Sequence, residues 1–206
     1  MRKLWRIFQK RPSQENRSAH CLAGREDVWK VYQDLRVRHP QIRFLRTFVE
    51  TGTFRGETIR KMERWFETLY TIEIDPKLHR EAKARYPSPK IHYLLGDSVA
   101  KLRIISRQLS DPALFYLDAH FSGTGTGKGA KDVPLIEELE ILAQRHQEDC
   151  IIVDDLRLFG THRNEEDWSE VTRDSILRAF GRRDLETIEQ GDKLVLLLRP
   201  SQAHSH

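Results

Sequence analysis

Short apolar runs alternate with segments of helical periodicity from Phe44 onward, and this alternation restricts the chain to few architectures. Strands that alternate with helices form parallel sheets with helices packed on both faces. The pattern therefore predicts an α/β fold with a mostly parallel sheet. The predicted strands are 47–50, 69–75, 91–95, 114–118 and 150–154, and the predicted helices are about 56–67, 77–86, 98–106 and 134–147.

The pattern changes near the end of the chain. Two strand-like segments, Leu185–Glu189 and Lys193–Leu198, are separated by Gln190, Gly191 and Asp192. A short turn with a glycine between two strand patterns predicts a β-hairpin. The sheet is therefore expected to have seven strands and to end in an antiparallel pair.

Length and charge divide the chain into a core and its ends. The 206 residues suit one domain, which we place at 41–200 with a disordered tail at 201–206. Residues 1–46 carry 12 Lys or Arg and four acids, whereas the other 160 residues carry 23 basic and 27 acidic residues. Residues 1–40 are therefore predicted to be a basic tail with a helical extension over about 26–38. The tail is either solvated or a weak contact with nucleic acid or an anionic membrane surface.

The remaining composition favours a cytosolic protein. No apolar run is long enough to cross a membrane, and the N-terminus lacks the apolar stretch of a secretory signal. The two cysteines, Cys21 and Cys150, are far apart and have no metal-ligand spacing, so we expect reduced thiols. No nucleic-acid module is recognisable.

A glycine-containing loop and three acids follow the first three predicted strands. The loop runs from Glu50 to Thr58 and contains Gly52 and Gly56, which allow a tight turn and close approach of a ligand. Glu73 and Asp75 end the second strand, about twenty residues after the loop. A carboxylate at this separation accepts hydrogen bonds from ribose hydroxyls in nucleotide-binding folds. Asp97 follows the third strand and could meet an adenine amino group. Asp75 and Asp97 could equally be helix caps.

The details of the loop select among nucleotide-type ligands. A nicotinamide site would favour G-x-G-x-x-G, which is absent. Glu50, before the first glycine, would repel phosphate but suits the positively charged amino-acid end of S-adenosylmethionine. The stretch 122–129 fails the phosphate-loop template. Residues 121–132 are interpreted as a mobile active-site loop, with a surface linker as the alternative.

The loop Glu50-Thr-Gly-Thr-Phe-Arg-Gly56 resembles the E-T-G-x-x-R-G variant of macrocin-type sugar O-methyltransferases. The chain is thus similar to class I S-adenosylmethionine-dependent methyltransferases over about residues 44–199, which implies their Rossmann-like fold. The resemblance also implies that the loop contacts the methionine moiety, that Glu73 rather than Asp75 takes the ribose, and that Asp97 and Ser98 border the adenine. The expected cofactor-binding residues are Glu50, Thr51, Gly52, Thr53, Gly56, Glu73, Asp75, Asp97, Ser98 and Asp118.

A second group of acids follows the fourth and fifth strands. Asp118, Asp154 and Asp155 should converge and repel one another unless a cation lies between them. Oxygen ligands suit Mg²⁺, and a similar trio binds Mg²⁺ in the enzymes that the chain resembles. His120 stands where those enzymes tend to have an acid, and it is the candidate general base beside Asp118. Alternatively, His120 is structural, and Asp154-Asp155 cap a helix and pair with Arg157.

Two further features of the sequence indicate structural roles. The acidic helix around 137–140 is expected to be a solvated face, and Trp168 to be a packing residue.

Taken together, the loop and the two groups of acids predict Mg²⁺-assisted O-methylation of a small, sugar-like substrate, with Asp118 and His120 as catalytic residues. An NAD or nucleotide-sugar enzyme on a Rossmann-like fold, and a cofactor-binding protein without turnover, are the alternatives. A homo-oligomer is compatible with the sequence.

Overall fold

Seven strands form one sheet in the computed structural model, which describes residues 26–120, 133–163 and 166–199. Helices separate most of the strands in the chain, as the alternating pattern predicts. In chain order the elements are α1 (Val28–Arg38), β1 (Thr47–Thr51), α2 (Glu57–Met62), β2 (Thr68–Glu73), α3 (Pro76–Arg85), β3 (Ile91–Leu95), α4 (Ser98–Gln108), β4 (Ala113–Leu117), α5 (Leu135–Ala143), β5 (Cys150–Val153), β6 (His162–Arg163), β7 (Glu166–Asp167), α6 (Arg173–Phe180), β8 (Leu185–Gln190) and β9 (Lys193–Leu198).

The strand order in the sheet is β3-β2-β1-β4-β5-β9-β8. Strands β1 to β5 are parallel, whereas β9 runs antiparallel to both β5 and β8. The predicted sheet and its final hairpin are thus confirmed. The chain reverses its direction of travel across the sheet between β1 and β4, and the crevice at the carboxyl ends of such strands is where ligands bind in open α/β sheets.

Side chains alternate between the two faces of the sheet, and each face has its own hydrophobic core. Phe48 belongs to the cluster that includes α1 and α2, whereas its neighbour Val49 belongs to the cluster that includes α4, α5 and α6. Period-2 alternation along a strand produces this division. The central strands β1, β4, β5 and β9 are buried on both faces because helices cover both faces, whereas the edge strands β3 and β8 are partly exposed.

The N-terminal helical extension forms as predicted. Helix α1 buries Val28, Val31, Tyr32 and Leu35, which recur at helical spacing on one face. The backbone amide of Glu26 donates to the carbonyl of Gly191, so the start of this segment meets the β8–β9 turn. The basic residues 1–25, Cys21 and the tail at 201–206 lie outside the described residues.

Several elements end earlier than the sequence predicts. Strands β2, β4 and β5 end at Glu73, Leu117 and Val153, so Asp75, Asp118 and Asp154 lie just beyond the ladders. Helix α5 ends at Ala143, after which the amides of Gln144 and Arg145 bond three residues back and tighten the turn. Helix α6 and the small β6–β7 ribbon were not predicted. Within the described ranges, no helix is both long and apolar enough to cross a membrane.

Candidate active site

The loop after β1 lies directly against the end of β4. A side-chain carbon at Gly52 would overlap with the carbonyl oxygen of Asp118, and Gly52 also has φ +85. Both conditions require glycine. The backbone amide of Asp118 donates to the carbonyl of Thr51 at 3.2 Å, which joins the two strand ends. Gly56, at φ +74, occupies the cap position of α2. The predicted loop glycines thus bring the first strand to the acid after β4.

Glu50 and the two threonines near it form a buried polar group beneath the loop. Oγ1 of Thr71 donates to Glu50 at 2.8 Å and lies 2.6 Å from Oγ1 of Thr53. Glu50 is 1% exposed, and this burial raises its pKa to about 8. The Thr71 hydrogen bond opposes the rise, and the charge of Glu73 adds to it. Glu50 is therefore largely protonated at neutral pH.

Glu73 organises the backbone at the ends of β1 and β2. Its two carboxylate oxygens accept hydrogen bonds from the amides of Phe54, at 2.8 Å, and Asp75, at 2.9 Å. Phe54 has φ +47, a conformation that few L residues adopt, and the Glu73 contact holds it there. The acid predicted to take a ribose thus also fixes the glycine loop.

Asp75 and Asp97 are both helix caps. Oδ1 of Asp75 accepts from the amides of Lys77 and Leu78 at the start of α3, and Oδ1 of Asp97 accepts from Ala100 in α4. The capping alternative considered for these acids is therefore confirmed. The caps use only one oxygen of each carboxylate, so they are compatible with a contact to ligand. Ser98, next to Asp97, is buried.

Asp118, His120 and Asp155 meet beyond the ends of β4 and β5. Nε2 of His120 lies 3.2 Å from Oδ2 of Asp155, and Nδ1 lies 3.6 Å from Oδ1 of Asp118. The imidazole packs edge-on against Trp168, with ring centres 5.3 Å apart. Trp168 is buried, so its predicted packing role is confirmed, and its ring packs against both the imidazole and Phe159.

Asp154 is already engaged by three donors. Oδ1 accepts from Nζ of Lys193 at 2.8 Å and from the amide of Asp155 at 2.7 Å. Oδ2 accepts from the hydroxyl of Tyr116, which also lies 3.2 Å from Oδ2 of Asp118. Tyr116 could have been found from the sequence, because it lies two residues before Asp118 and thus on the same face of β4.

One carboxylate oxygen of Asp155 faces His120, and an arginine holds the other. Its Oδ1 pairs with the guanidinium of Arg157, which pairs in turn with Asp192 in the β8–β9 turn. The backbone amide of Arg157 also donates to Asp192 at 2.9 Å. The predicted ion pair with Arg157 is therefore present. Asp155 has φ +58, and these contacts with Arg157 hold it in that uncommon conformation.

The electrostatics of this pocket disfavour full ionisation. Burial raises the pKa of Asp118 well above its ordinary value, and the charges of Asp154 and Asp155 add to the shift. Burial, followed by the charges of Asp118 and Asp154, raises the pKa of Tyr116. A cation near Asp118 would stabilise its ionised form.

Glu138 is a site residue that the sequence interpretation missed. The prediction of a solvated acidic face is wrong at this position, because Glu138 is 1% exposed. Its Oε2 lies 3.4 Å from Oγ1 of Thr51, and Oε1 has no hydrogen-bond partner among the described residues. Burial raises its pKa to about 7, against hydrogen bonds from Ser98 and Thr51. A signal was present, because Leu135, Glu138 and Leu142 share one helical stripe.

A small cavity of about 10 Å³ lies among these side chains, with room for about one water molecule. Asp118, His120, Asp154 and Glu138 supply its polar walls, and Trp168 supplies part of its apolar wall. The predicted active-site loop at 121–132 lies outside the described residues. Val133, which follows this segment in the chain, borders the cavity.

The donor set fits a divalent cation in part. Oxygens of Asp118 and Asp155 and a ring nitrogen of His120 all lie within 4.8 Å of one another, and so do oxygens of Asp154, Asp155 and Asp192. The second group is already paired with Lys193 and Arg157. The predicted trio of Asp118, Asp154 and Asp155 thus includes one carboxylate whose oxygens already accept three hydrogen bonds.

The fold is shared with solved methyltransferases. An O-methyltransferase from Bacillus cereus, in complex with SAH, is similar over 90% of this chain and 88% of its own, with TM-score 0.59 and 15% identity. The SAM-bound amino pentose methyltransferase CalS10 from Micromonospora echinaspora is similar over 94% of this chain and 100% of its own, with TM-score 0.54 and 13% identity. The chain has the class I methyltransferase fold. This confirms the fold that the loop resemblance implied.

Comparisons at the level of sequence add nothing to this result. No family profile matches the chain. No curated protein matches it either. The fold is thus established by structural similarity alone, and the activity has to be argued from the residues at the ends of β1, β2, β4 and β5.

Proposed function

We propose that this protein transfers a methyl group from S-adenosylmethionine to a hydroxyl oxygen of a small, sugar-like molecule. The observation that carries the proposal is the junction of the Gly52 loop with Asp118. It brings a cofactor-type loop against the acids and the imidazole at the end of β4. A methyl donor in that loop would face a hydroxyl held by the acid pocket, which is the arrangement that direct transfer needs.

The cofactor contacts follow from the placement of each residue. The amino-acid end would lie over Gly52 with Thr51, Thr53 and Gly56, above the carboxyl of Glu50. Each carboxylate oxygen of Glu73 accepts one backbone amide and has a second lone pair. Glu73 would use these remaining lone pairs to accept hydrogen bonds from the ribose hydroxyls. Asp75, Asp97 and Ser98 would border the rest of the cofactor, with Asp97 and Ser98 beside the adenine.

The chemical step is a displacement at the methyl carbon. The bond from carbon to the sulfonium sulfur breaks, and its electron pair stays on sulfur, which gives the thioether product S-adenosylhomocysteine. A bond forms from the hydroxyl oxygen to carbon, and the hydroxyl proton passes to a base. His120 is the proposed base in the cation-free protein, and Asp118, 3.6 Å from its Nδ1, orients the ring.

A divalent cation, proposed as Mg²⁺ from the sequence, would lower the pKa of the acceptor hydroxyl when bound. Asp118 and Asp155 each turn one oxygen toward His120. These two oxygens could bind the cation while the carboxylates keep their contacts with Tyr116 and Arg157. Asp154 can join them only by giving up a hydrogen bond from Lys193, Tyr116 or Asp155. The chain's own residues hold and orient the acceptor in either case. A cytosolic location and a small-molecule acceptor belong to the same proposal.

Calorimetric titration with S-adenosylhomocysteine, with Mg²⁺ and then with EDTA, tests the cofactor. Transfer of labelled methyl from S-adenosylmethionine to a panel of free and nucleotide-linked sugars tests the activity. We expect micromolar binding and transfer to at least one sugar hydroxyl. His120→Ala should lower kcat about 100-fold or more. The matched control His162→Ala changes an exposed histidine outside the pocket and should leave kcat unchanged.

Other outcomes separate the alternatives. Absence of adenosyl binding under both conditions overturns the proposal, and binding of NAD in its place supports the dehydrogenase-type alternative. Tight adenosyl binding without transfer to any hydroxylated acceptor indicates a cofactor-binding protein without turnover.

A further inference from the structure

We propose that His120 is a ligand of the divalent cation, together with Asp118 and Asp155, and that Asp154 is a positioning residue outside the ligand set. The site is thus a mixed nitrogen and oxygen site, which differs from the carboxylate trio predicted from the sequence. This inference deepens the proposed function and rests on it only for its consequence in catalysis.

The first argument is the direction of the two carboxylate oxygens that face His120. Oδ2 of Asp118 lies near the Tyr116 hydroxyl, which leaves Oδ1 toward His120. Oδ1 of Asp155 pairs with Arg157, which leaves Oδ2 toward His120. Both outward oxygens thus converge on the same imidazole. One donor atom from each of the three residues lies within 4.8 Å of the others, a spacing that a single cation can bridge.

The second argument is the engagement of Asp154. Its two oxygens already accept from an ammonium, a hydroxyl and an amide. Lys193 is buried, with 4% of its side chain exposed, so leaving it without its partner would strand a charge away from water. A cation that recruited Asp154 would compete with this ammonium. A cation held by Asp118, His120 and Asp155 leaves the Lys193 pair intact.

The third argument is independent of the acids that bind the cation. Glu138 is buried at the wall that Asp118 and His120 share, and its Oε1 has no partner within the described part of the chain. The cavity beside it has room for about one water. Divalent cations of this size keep part of their water shell. A water on the cation would fill the cavity and donate to Oε1, which accounts for an otherwise unsatisfied buried oxygen.

A nitrogen ligand changes which metal the site favours. Imidazole suits transition metals, whereas Mg²⁺ favours oxygen ligands throughout. We therefore expect Mn²⁺ to bind more tightly than Mg²⁺. A nitrogen that binds the cation cannot also accept the hydroxyl proton, so His120 acts as a base only in the cation-free protein. With the cation bound, the pKa of the acceptor hydroxyl would be lowered and its proton would pass to solvent water.

Electron paramagnetic resonance of the full chain with Mn²⁺, after treatment with EDTA and its removal, measures binding without any reaction. Asp118→Asn and Asp155→Asn make the same isosteric change and should weaken Mn²⁺ binding about tenfold or more. Asp154→Asn, the matched control, should weaken it less than threefold. Pulsed spectra of the Mn²⁺-loaded protein should show coupling to an imidazole nitrogen that His120→Ala removes.

The opposite pattern overturns the inference. A loss of Mn²⁺ binding in Asp154→Asn with none in His120→Ala would restore the carboxylate trio, and no Mn²⁺ binding at millimolar concentrations would remove the site altogether. Binding of S-adenosylhomocysteine to each variant is measured in parallel. Retained cofactor binding shows that the variant is folded, so a failed metal site is distinguishable from a failed methyltransferase proposal.

Discussion

The ammonium group of Lys193 lies 2.8 Å from Oδ1 of Asp154, and it connects the first residue of β9 to the acid that follows β5. The adjacent residue Asp192 holds Arg157, which pairs with Asp155. The β8–β9 turn therefore fixes both acids at the end of β5. Because this turn also meets Glu26 before α1, the N-terminal helix and the acid pocket share one support.

Loss of the Lys193 ammonium should be strongly destabilising. Lys193→Met leaves Asp154 without its only cationic partner among the described residues, and breaking a buried pair in this way costs about 3 kcal/mol of unfolding free energy. The double variant Lys193→Met with Asp154→Asn should regain most of it. Urea unfolding measures all three proteins. Lys61→Met, which breaks an exposed pair with Asp27, should cost about 1 kcal/mol or less. Equal losses for Lys61→Met and Lys193→Met would contradict the prediction.

A comparison of Gly52→Ala with Gly160→Ala should separate the cost of a steric clash from the cost of backbone strain. The added carbon meets the carbonyl of Asp118, whereas a carbon added at Gly160, with a similar φ of +71, meets nothing within 4 Å. Gly160→Ala should therefore cost only the strain of its conformation, about 1 to 2 kcal/mol. Gly52→Ala should cost more and should also weaken S-adenosylhomocysteine binding at least tenfold. Unfolding and calorimetry measure the two effects. Equal costs at both glycines would show that the loop does not need to touch β4.

Glu138→Gln should change how stability depends on pH. Burial raises the pKa of Glu138 to about 7 in the folded state, above the ordinary value of 4.5 for a glutamate side chain. Between these values the folded protein keeps a proton that the unfolded chain has released, so the unfolding free energy falls as pH rises. The fall contributed by Glu138 is on the order of 3 kcal/mol. In EDTA, Glu138→Gln should gain stability over the wild type by that amount from pH 5 to 8. Glu140→Gln, at an exposed position, should keep a constant difference, and a constant difference for Glu138→Gln would refute the prediction.

The sequence predicts the sheet well because its signals are local. Most strands of the sheet coincide with short apolar runs, and the glycine-containing turn at Gly191 between two strand-like segments predicts a hairpin. The positions of Asp118, Asp154 and Asp155 follow from the same pattern, because parallel strands end at one edge. Helix α6 was missed because its buried positions, Ile176 and Phe180, are too few to show a helical period.

The sequence could not predict which residues pair with one another in the acid pocket. Lys193 and Asp154 are separated by 39 residues, and their pairing depends on which strand β9 joins. The strand pattern leaves that choice open, since β9 could extend either edge of the sheet. Glu138 was misread for another reason. A carboxylate on an apolar stripe is assumed to turn to solvent unless a hydroxyl such as that of Thr51 is known to meet it.

Cofactor binding should release a proton from Glu50. With a pKa of about 8, raised by burial, Glu50 is mostly protonated at pH 7. The α-ammonium group at the amino-acid end of S-adenosylmethionine, placed over Gly52, would favour the ionised carboxylate and lower that pKa. Calorimetric titrations of the protein with S-adenosylmethionine at pH 7 should therefore give different heats in phosphate and in Tris. The two buffers take up the released proton with different enthalpies. Glu50→Gln should abolish the difference and weaken binding about tenfold. Glu57→Gln, which changes an exposed acid at the start of α2, should keep the difference. Equal heats in both buffers for the wild type, or a release that persists in Glu50→Gln, would show that the cofactor's charge does not act on this carboxyl.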